Sequence, residues 1–410
     1  MSHRAAIFGG LAIGETEIHG FLDSADTRAT LEAMAALGAE VSESDGVIRV
    51  RGGQLKAPAG DLDLGNSGTG MRLLAGALSG HSDLFGASIR LIGDKSLSSR
   101  PMGRIIEPLR AMGADIDSID GHAPLTLRPR QLRGMHYEQP MASAQVKSAL
   151  LLAGLSAEGA TEVVEPGISR DHTERMLPAF GAQLIRGECR CRIDGDQRLK
   201  GAVCRVPGDL SSAAFVLAAG LLVDGSNVEL TEVGLNPTRD GVLRVLDAMG
   251  ADLERTEVSG GEGEPSGHLR VRSGRLVGVT IAPEWVPLAI DEFPVLMALA
   301  ACAEGTTRIR GAEELRVKES DRLAVMCREL SQLGVQVTEH PDGADISGGP
   351  VRGGRADSHG DHRIAMSLAV LGLVADGPVE IENAEWIRTS YPGFVDDMRA
   401  LGAEMEWIEV

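Results

Sequence analysis

A chain of 410 residues is too long for one ordinary hydrophobic core, so its length predicts two domains of roughly 200 residues each. A content of 43% hydrophobic and 24% charged residues is typical of a globular protein, and no apolar run is long enough to cross a membrane. The formal net charge of −19 argues against nucleic acid or an anionic membrane as a partner, but it leaves room for a small anion bound by local arginines.

An amphipathic helix that ends at a glycine and is followed by a strand recurs six times. In chain order, these helices end at Gly38, Gly113, Gly181, Gly250, Gly334 and Gly402. Glycine readily adopts the left-handed conformation that ends a helix. Successive turns lie roughly 70 to 85 residues apart, which suits a βαβαββ unit better than a small solenoid repeat.

Each repeat also contains an earlier helix that is apolar on all sides and is therefore predicted to be buried. These helices begin with small or polar residues near Ser2, Asn66, Ser143, Asp209, Asp291 and Gly360. If three repeats form a lobe, its buried helices can run parallel and aim their positive ends at a cleft that attracts phosphate and carboxylate. The sequence thus predicts a mixed α/β (α+β) fold of two lobes, residues 1–207 and 208–410, each with three βαβαββ units.

Polar residues at several predicted helix starts are candidates for binding an anion. Arg4 stands at the start of the first buried helix, where a cation is unfavourable unless an anion lies beyond it, although a surface position is equally compatible. Leu64–Arg72 is a glycine-rich turn whose small residues let a ligand approach backbone amides. Pro101 suits the first position of a helix, which places Arg100 at the cap, where it could grip a carboxylate or phosphate.

Further donors and one acid occur at later helix starts. Ser143, Gln145 and Ser169 offer hydroxyl and amide groups, and the two serines could equally cap their helices. Asp291 stands at the mouth of an apolar helix, where it could serve as an N-cap or as a catalytic base.

The segment Glu313–Leu323 places charges of both signs between two apolar runs. The alternation in Leu315–Val317 predicts the end of a strand, which then turns into a helix. Glu319 would lie between Lys318 and Arg322 near the helix N-terminus, where an anion site and a proton-transferring acid could meet. The alternative is a solvated, charged helix cap.

No metal site is predicted. The five cysteines, which lack metal-ligand spacing, are Cys189, Cys191, Cys204, Cys302 and Cys327. Side chains of His359, Asp361 and His362 would diverge at a helix start, so they are poor candidates for a shared ion. An odd number of cysteines without a signal peptide indicates reduced thiols in the cytoplasm.

These motifs resemble those of the enolpyruvyl transferases over essentially the whole chain. The resemblance rests on five segments in the family's order and spacing, namely Leu64–Thr69, Arg100–Met102, Ser143–Gln145, Leu315–Arg322 and Asp361–Arg363. The family's fold is a pair of lobes with three βαβαββ units each, in agreement with the repeats. The resemblance implies transfer of the enolpyruvyl group of phosphoenolpyruvate to the 5-hydroxyl of shikimate 3-phosphate, a step of chorismate and aromatic amino acid biosynthesis. It further implies a monomer that works without a metal or organic cofactor.

The resemblance also implies roles for individual residues. Asp291 would take the proton of the attacking hydroxyl, Glu319 would protonate the methylene carbon, and Lys318 would belong to the same catalytic group. The implied substrate-binding residues are Ser2, Arg4, Gly68, Thr69, Arg100, Ser143, Ala144, Gln145, Ser169, Arg322, His362 and Arg363.

The sequence departs from the family pattern at its start. The family's Gly-Asp-Lys-Ser run, with a lysine that contacts both substrates, and the strand before it in the second lobe are expected to be absent, since the sequence opens at Met1 and Ser2. Two alternatives remain. One is the related transferase that uses UDP-N-acetylglucosamine, which usually relies on a loop cysteine, and the other is a truncated, non-catalytic protein that binds shikimate 3-phosphate.

Overall fold

The computed structural model describes residues 1–259 and 263–408, which form two compact units. The first unit comprises Met1–Val206 and Gly261–Glu264, and the second comprises Pro207–Gly260 and Pro265–Val410. Within the described ranges, no helix has both the length and the apolar character that a membrane span needs.

The first unit is built from helices α1 to α7 and strands β1 to β12. The helices are α1 (Ser2–Leu11), α2 (Ala25–Ala36), α3 (Gly68–Ser79), α4 (Lys95–Ser98), α5 (Gly103–Ala111), α6 (Ala144–Gly154) and α7 (His172–Met176). The strands are β1 (Gly14–His19), β2 (Glu40–Ser44), β3 (Val47–Gly52), β4 (Leu62–Asp63), β5 (Ile89–Ile92), β6 (Asp115–Ile119), β7 (His122–Arg128), β8 (His136–Glu138), β9 (Ala160–Val164), β10 (Leu184–Gly187), β11 (Arg190–Asp194) and β12 (Val203–Arg205).

Three sheets of the first unit share one topology. Their strand orders are β12-β1-β3-β2, β4-β5-β7-β6 and β8-β9-β11-β10. In each sheet the first pair is parallel and the others are antiparallel. The last strand, β12, therefore occupies in the first sheet the position that β4 and β8 occupy in the other two.

The second unit repeats this plan with smaller sheets. Its helices are α8 (Leu210–Leu222), α9 (Gly241–Ala248), α10 (Phe293–Cys302), α11 (Arg322–Gln332), α12 (His362–Gly372) and α13 (Phe394–Ala400). Its strands are β13 (Asn227–Gly234), β14 (Asp252–Ser259), β15 (Ser266–Arg272), β16 (Thr306–Ile309), β17 (Gln336–His340), β18 (Gly343–Ser347), β19 (Gly354–Asp357) and β20 (Val379–Glu382). The sheet orders are β13-β15-β14, β16-β18-β17 and β19-β20.

The six glycines predicted to end helices do so. Each adopts a positive φ, from 78° at Gly250 to 104° at Gly38, which a side chain with a Cβ rarely tolerates. A strand follows the first five of these glycines. After Gly402 the prediction is wrong within the described residues, because 403–408 form no strand.

The six predicted buried helices are α1, α3, α6, α8, α10 and α12, and aliphatic side chains dominate their contacts. Helices α3 and α6 approach so closely that a Cβ at Gly76 would lie 2.1 Å from the Ala149 carbonyl oxygen. The C-terminal ends of α1, α3 and α6, at Leu11, Gly80 and Leu155, border one cavity of about 810 Å³. Since side chains near the N-terminal ends of these helices also contact one another, the three helices run parallel.

Two local predictions are wrong. Residues Glu313–Val317 form a 3-10 helix instead of the end of a strand, and α11 follows with Asp321 as its N-cap. Helix α5 begins at Gly103 with Met102 as its N-cap, so Pro101 is not its first residue and Arg100 does not cap it.

Candidate active site

Arg4 lies on α1 and is almost fully buried, with 6% of its surface exposed. Its Nε donates to Thr173 Oγ1 at 2.7 Å, and its Nη2 donates to Ser148 Oγ at 3.0 Å. Burial lowers the pKa of Arg4 to about 10, against the opposing effect of Glu174, so the guanidinium stays charged at neutral pH. Its hydrogen-bond partners are neutral hydroxyls, which orient the cation without cancelling its charge.

Lys147 on α6 joins two buried carboxylates beside Arg4. Its Nζ lies 2.5 Å from Glu165 Oε2 and 2.7 Å from Glu174 Oε1. Burial alone would lower the pKa of Lys147, but these two carboxylates raise it above its usual value. Ser169 donates a short hydrogen bond to Glu165 Oε1. The N-cap of α7 is Asp171, so Ser169 does not cap this helix and is held by Glu165 instead.

The glycine-rich turn links the first turns of α3 and α6. Gly68 opens α3, and the Oγ of Ser67 caps the helix by accepting from Gly70 N at 3.1 Å. Gln145 Nε2 donates to Thr69 Oγ1 at 2.9 Å, and Arg72 Nη1 donates to Gln145 Oε1 at 2.6 Å. These bonds place Gln145 beside Thr69, which follows Gly68 on α3.

Two arginines border Gly68. A Cβ at Gly68 would lie 3.0 Å from Arg72 Nη1 and 3.3 Å from Arg100 Nη1, so the glycine leaves room beside both guanidinium groups. Arg100 Nη2 donates to Asn66 Oδ1 at 2.5 Å. Burial, together with the charges of Arg100 and Arg104, lowers the pKa of Arg72. Like charges held this close favour an anion between them.

The remaining predicted residues of the first unit have local partners. Ser2 is 3% exposed, and its Oγ accepts from Leu22 N at 2.9 Å. Ser143 is the N-cap of α6, and its Oγ accepts from Val146 N at 3.5 Å. Ala144 is the first residue of that helix. The hydroxyl oxygens of Ser2 and Ser143 therefore each accept a hydrogen bond from a backbone amide.

Arg322 is the centre of the charged cluster on the second unit. It opens α11 with a side chain that is 1% exposed. Its Nε lies 2.7 Å from Asp361 Oδ2, its Nη2 lies 2.6 Å from Glu319 Oε2, and its Nη1 lies 3.6 Å from Asp291 Oδ1. Burial alone would raise the pKa of Asp361, but Arg322 and the Arg363 N–H hold it below its usual value. Asp361 is fully buried and caps α12.

Asp291 lies two residues before α10, beside two cations. Its Oδ1 is 3.8 Å from Lys318 Nζ in addition to its contact with Arg322. The N-cap of α10 is Glu292, so the alternative in which Asp291 caps this helix is wrong. Lys318 also lies 2.6 Å from Glu314 Oε1. The side chain of Asp291 is 17% exposed, whereas that of Glu319 is 55% exposed, so two carboxylates of different solvation flank Arg322.

Arg363 and His362 open α12. Arg363 Nη1 donates to the Asp291 backbone oxygen at 3.0 Å and lies 3.8 Å from Glu292 Oε1. Burial and the charge of Arg363 lower the pKa of His362 to about 4, so its ring is neutral at neutral pH.

Sequence reasoning did not single out Arg72, Arg239 or Glu292. Arg239 Nη1 lies 3.0 Å from Asp209 Oδ1, and its Nη2 donates a short hydrogen bond to Ser211 Oγ. Ser211 in turn donates a short hydrogen bond to Glu292 Oε1. Only two signals were available, since Arg72 ends the glycine-rich motif and Glu292 follows Asp291. No motif in the sequence around Arg239 indicates a functional role for this residue.

The geometry supports anion binding and proton transfer. Across residues 1–259 and 263–408, no group of three or more His, Cys, Asp or Glu side chains is placed to hold a metal ion. Both units instead place arginine side chains at the starts of buried helices, and the second unit adds two carboxylates beside them. Such a protein belongs among the two-unit α/β enzymes that handle phosphate and carboxylate groups.

Comparison with known proteins identifies the family. The family described as EPSP synthase (3-phosphoshikimate 1-carboxyvinyltransferase) matches residues 1–398, and the chain belongs to it. A protein named 3-phosphoshikimate 1-carboxyvinyltransferase from Synechococcus sp. (strain JA-3-3Ab) is 52% identical over 413 residues, covering 98% of this chain and 92% of the relative. One of the same name from Alkalilimnicola ehrlichii is 53% identical over 403 residues, covering 97% and 90%.

A solved structure agrees. The EPSP synthase of Acinetobacter baumannii has a TM-score of 0.93 and 45% sequence identity, covering 99% of this chain and 94% of that one. The predicted family and the two-lobed fold class are confirmed. The chain is a transferase, and the comparisons favour neither the UDP-N-acetylglucosamine alternative nor the non-catalytic one.

Proposed function

We propose that this chain transfers the enolpyruvyl group of phosphoenolpyruvate to the 5-hydroxyl of shikimate 3-phosphate and releases inorganic phosphate. Family membership supports the reaction. The observation that carries it at the level of residues is one cluster on the second unit. There Asp291 Oδ1 lies 3.6 Å from Arg322 and 3.8 Å from Lys318, while Glu319 lies 2.6 Å from the same arginine.

The chemistry requires one proton to leave oxygen and another to reach carbon. Asp291 accepts the proton of the 5-hydroxyl as that oxygen bonds to the central carbon of phosphoenolpyruvate, and Glu319 protonates the methylene carbon. The adduct then loses phosphate, and Glu319 takes back a proton from the new methyl group as the double bond forms again. The adduct carries a phosphate and a carboxylate on one carbon, so fixed cations stabilise it.

Substrate binding is assigned by the match of each residue to the family's motifs. Phosphoenolpyruvate is assigned to the Gly68 backbone and to Gln145, Arg100, Arg322 and Arg363. Shikimate 3-phosphate is assigned to Arg4, Ser143, Gln145, Ser169, Asp291 and Lys318. Four further residues are assigned to substrate binding without a choice between the two substrates, namely Ser2, Thr69, Ala144 and His362. Arg322 is already held by three carboxylates, so it needs little rearrangement when an anion arrives.

We also infer that the enzyme works in the cytoplasm as a monomer. Five free thiols, three of them buried, suit a reducing compartment. Each unit has a hydrophobic core of its own, which supports a monomer that is stable without a partner.

The test is release of phosphate from phosphoenolpyruvate by the purified protein, with either shikimate 3-phosphate or UDP-N-acetylglucosamine as acceptor. We expect turnover with shikimate 3-phosphate only, and an enol ether product by NMR. Glu319→Gln should abolish turnover while sparing binding of shikimate 3-phosphate, since an amide is far too weak an acid to protonate carbon. Loss of binding together with turnover would mean that Glu319 is structural. Binding without turnover in the unaltered protein would refute the proposed reaction.

A further inference from the structure

Glu292 has a side chain that its own helix does not use. It occupies the N-cap position of α10, yet its carboxylate makes no capping hydrogen bond. A carboxylate at an N-cap ordinarily accepts from a free amide of the first turn. Here the side chain is only 4% exposed and contacts side chains from other parts of the second unit. Helix capping therefore does not explain why the Glu292 side chain is buried here.

Two arginines and one hydroxyl surround the Glu292 carboxylate. Its Oε1 accepts a short hydrogen bond from Ser211 Oγ and lies 4.0 Å from Arg239 Nη2 and 3.8 Å from Arg363 Nη1. Arg239 also donates to Ser211 Oγ, so the single hydroxyl proton of Ser211 is directed to Glu292. Asp209 holds the other end of the Arg239 guanidinium at 3.0 Å. The carboxylate is thus fixed from one side by a chain of oriented groups.

On its other side, Glu292 faces Arg363. This arginine has two anchors, the Asp291 carbonyl oxygen at 3.0 Å and the Glu292 carboxylate at 3.8 Å. Both anchors come from the two consecutive residues that include the assigned base. We propose that Glu292 is a positioning residue. Its carboxylate keeps the Arg363 guanidinium next to Asp291, in the orientation that binds phosphoenolpyruvate, an inference that rests on the proposed function.

The consequence is selective for one substrate. Among the described residues, the hydrogen-bond and ion-pair partners of the Glu292 carboxylate are Ser211, Arg239 and Arg363. Of these three, only Arg363 is assigned to a substrate, and that substrate is phosphoenolpyruvate. Removing the negative charge leaves Arg363 with its carbonyl anchor and the attraction of the Asp209 carboxylate, so the arginine samples more orientations and binds the planar carboxylate or phosphate less well. The weaker binding should raise the KM for phosphoenolpyruvate more than it lowers kcat.

The experiment compares Glu292→Gln with Glu329→Gln by steady-state kinetics. Glu329 is a matched control, since its side chain is 2% exposed, lies 2.8 Å from Arg328 Nε and 3.5 Å from His359 Nε2, and accepts from Asp357 N at 3.0 Å. None of these three partners is assigned to a substrate. We expect Glu292→Gln to raise the KM for phosphoenolpyruvate about tenfold, with the KM for shikimate 3-phosphate within about twofold. Glu329→Gln should leave both values within about twofold.

Ser211→Ala supplies a second, milder variant that keeps the charge of Glu292. It should raise the KM for phosphoenolpyruvate by about threefold. An unchanged KM in Glu292→Gln, or an equal rise in Glu329→Gln, would overturn the inference. If Glu292→Gln does not fold, an unchanged KM in Ser211→Ala overturns it. A wild-type protein without turnover would instead count against the proposed function, so the two failures are distinguishable.

Discussion

Asp361→Asn isolates the buried ion pair that holds the start of α11 against the start of α12. The substitution removes one negative charge and keeps nearly the same shape. Asparagine is as good an N-cap as aspartate, so the cap of α12 survives. What changes is the partner of Arg322, whose Nε lies 2.7 Å from Asp361.

The size of the effect follows from burial. The two side chains are 0% and 1% exposed, and breaking such a pair by removing one partner costs about 3–5 kcal/mol. Glu319 at 2.6 Å and Asp291 at 3.6 Å still compensate part of the charge of Arg322, which lowers our expectation to about 2–4 kcal/mol. For a unit of this size, that is a decrease in Tm of roughly 5–15 °C.

Tryptophan fluorescence reports on the second unit alone, because this unit contains all three tryptophans, Trp285, Trp386 and Trp407. Unfolding is followed by tryptophan fluorescence in urea and on heating. Asp321→Asn is the matched control, since Asp321 also caps a helix and pairs with an arginine, but at 38% exposure, where such pairs contribute about 0–1 kcal/mol. Equal losses in the two variants would refute the role assigned to burial. The pKa of Asp361 is lowered, so its contribution is present above about pH 4 and is lost as the pH falls.

Three further outcomes are expected. Gly76→Ala should destabilise the first unit by about 3 kcal/mol in thermal melts followed by circular dichroism, because its Cβ meets the α6 backbone, whereas Gly60→Ala, with open space around it, should cost less than about 0.5 kcal/mol. His362 has a pKa of about 4 in the folded protein, below its usual value, so its contribution to the free energy of unfolding is complete above about pH 6.5 and declines as the pH falls toward 4. His362→Gln should abolish up to about 3 kcal/mol of this pH dependence, measured by unfolding followed with tryptophan fluorescence. Arg322→Lys should lower kcat/KM for phosphoenolpyruvate at least about tenfold, since an ammonium cannot reproduce the guanidinium fork, and unchanged kinetics would remove this residue from the site.

The repeats could be predicted from sequence because their signals are local. A glycine such as Gly113, with φ 100°, is needed where a helix must end in the left-handed region, and no other residue serves as well. The buried helices were equally visible, since an all-apolar helix has nowhere else to lie. The strand predicted at Leu315–Val317 failed because three alternating residues also fit a 3-10 helix, and tertiary contacts decided between them.

The side-chain networks could not be predicted in the same way. Ser211 and Glu292 are 81 residues apart, and only the fold brings them into contact. Arg4 and Thr173 are 169 residues apart. A family resemblance identified the residues assigned to the substrates, but some of the groups that orient them, such as Thr173 beside Arg4 and Glu292 beside Arg363, lie outside the quoted motifs. Their roles emerge only when burial and distance are known.

Strand β12 gives the first unit an unusual order of assembly. It pairs with β1 through Ile18 and Cys204, so the first sheet lacks its parallel edge until the last strand of the unit has been made. At about 5–20 residues per second, a ribosome needs roughly 10–40 s to pass from one strand to the other. During that interval the nascent chain exposes the open edge of β1, which is where we expect a chaperone to engage it or a misfolded pairing to begin.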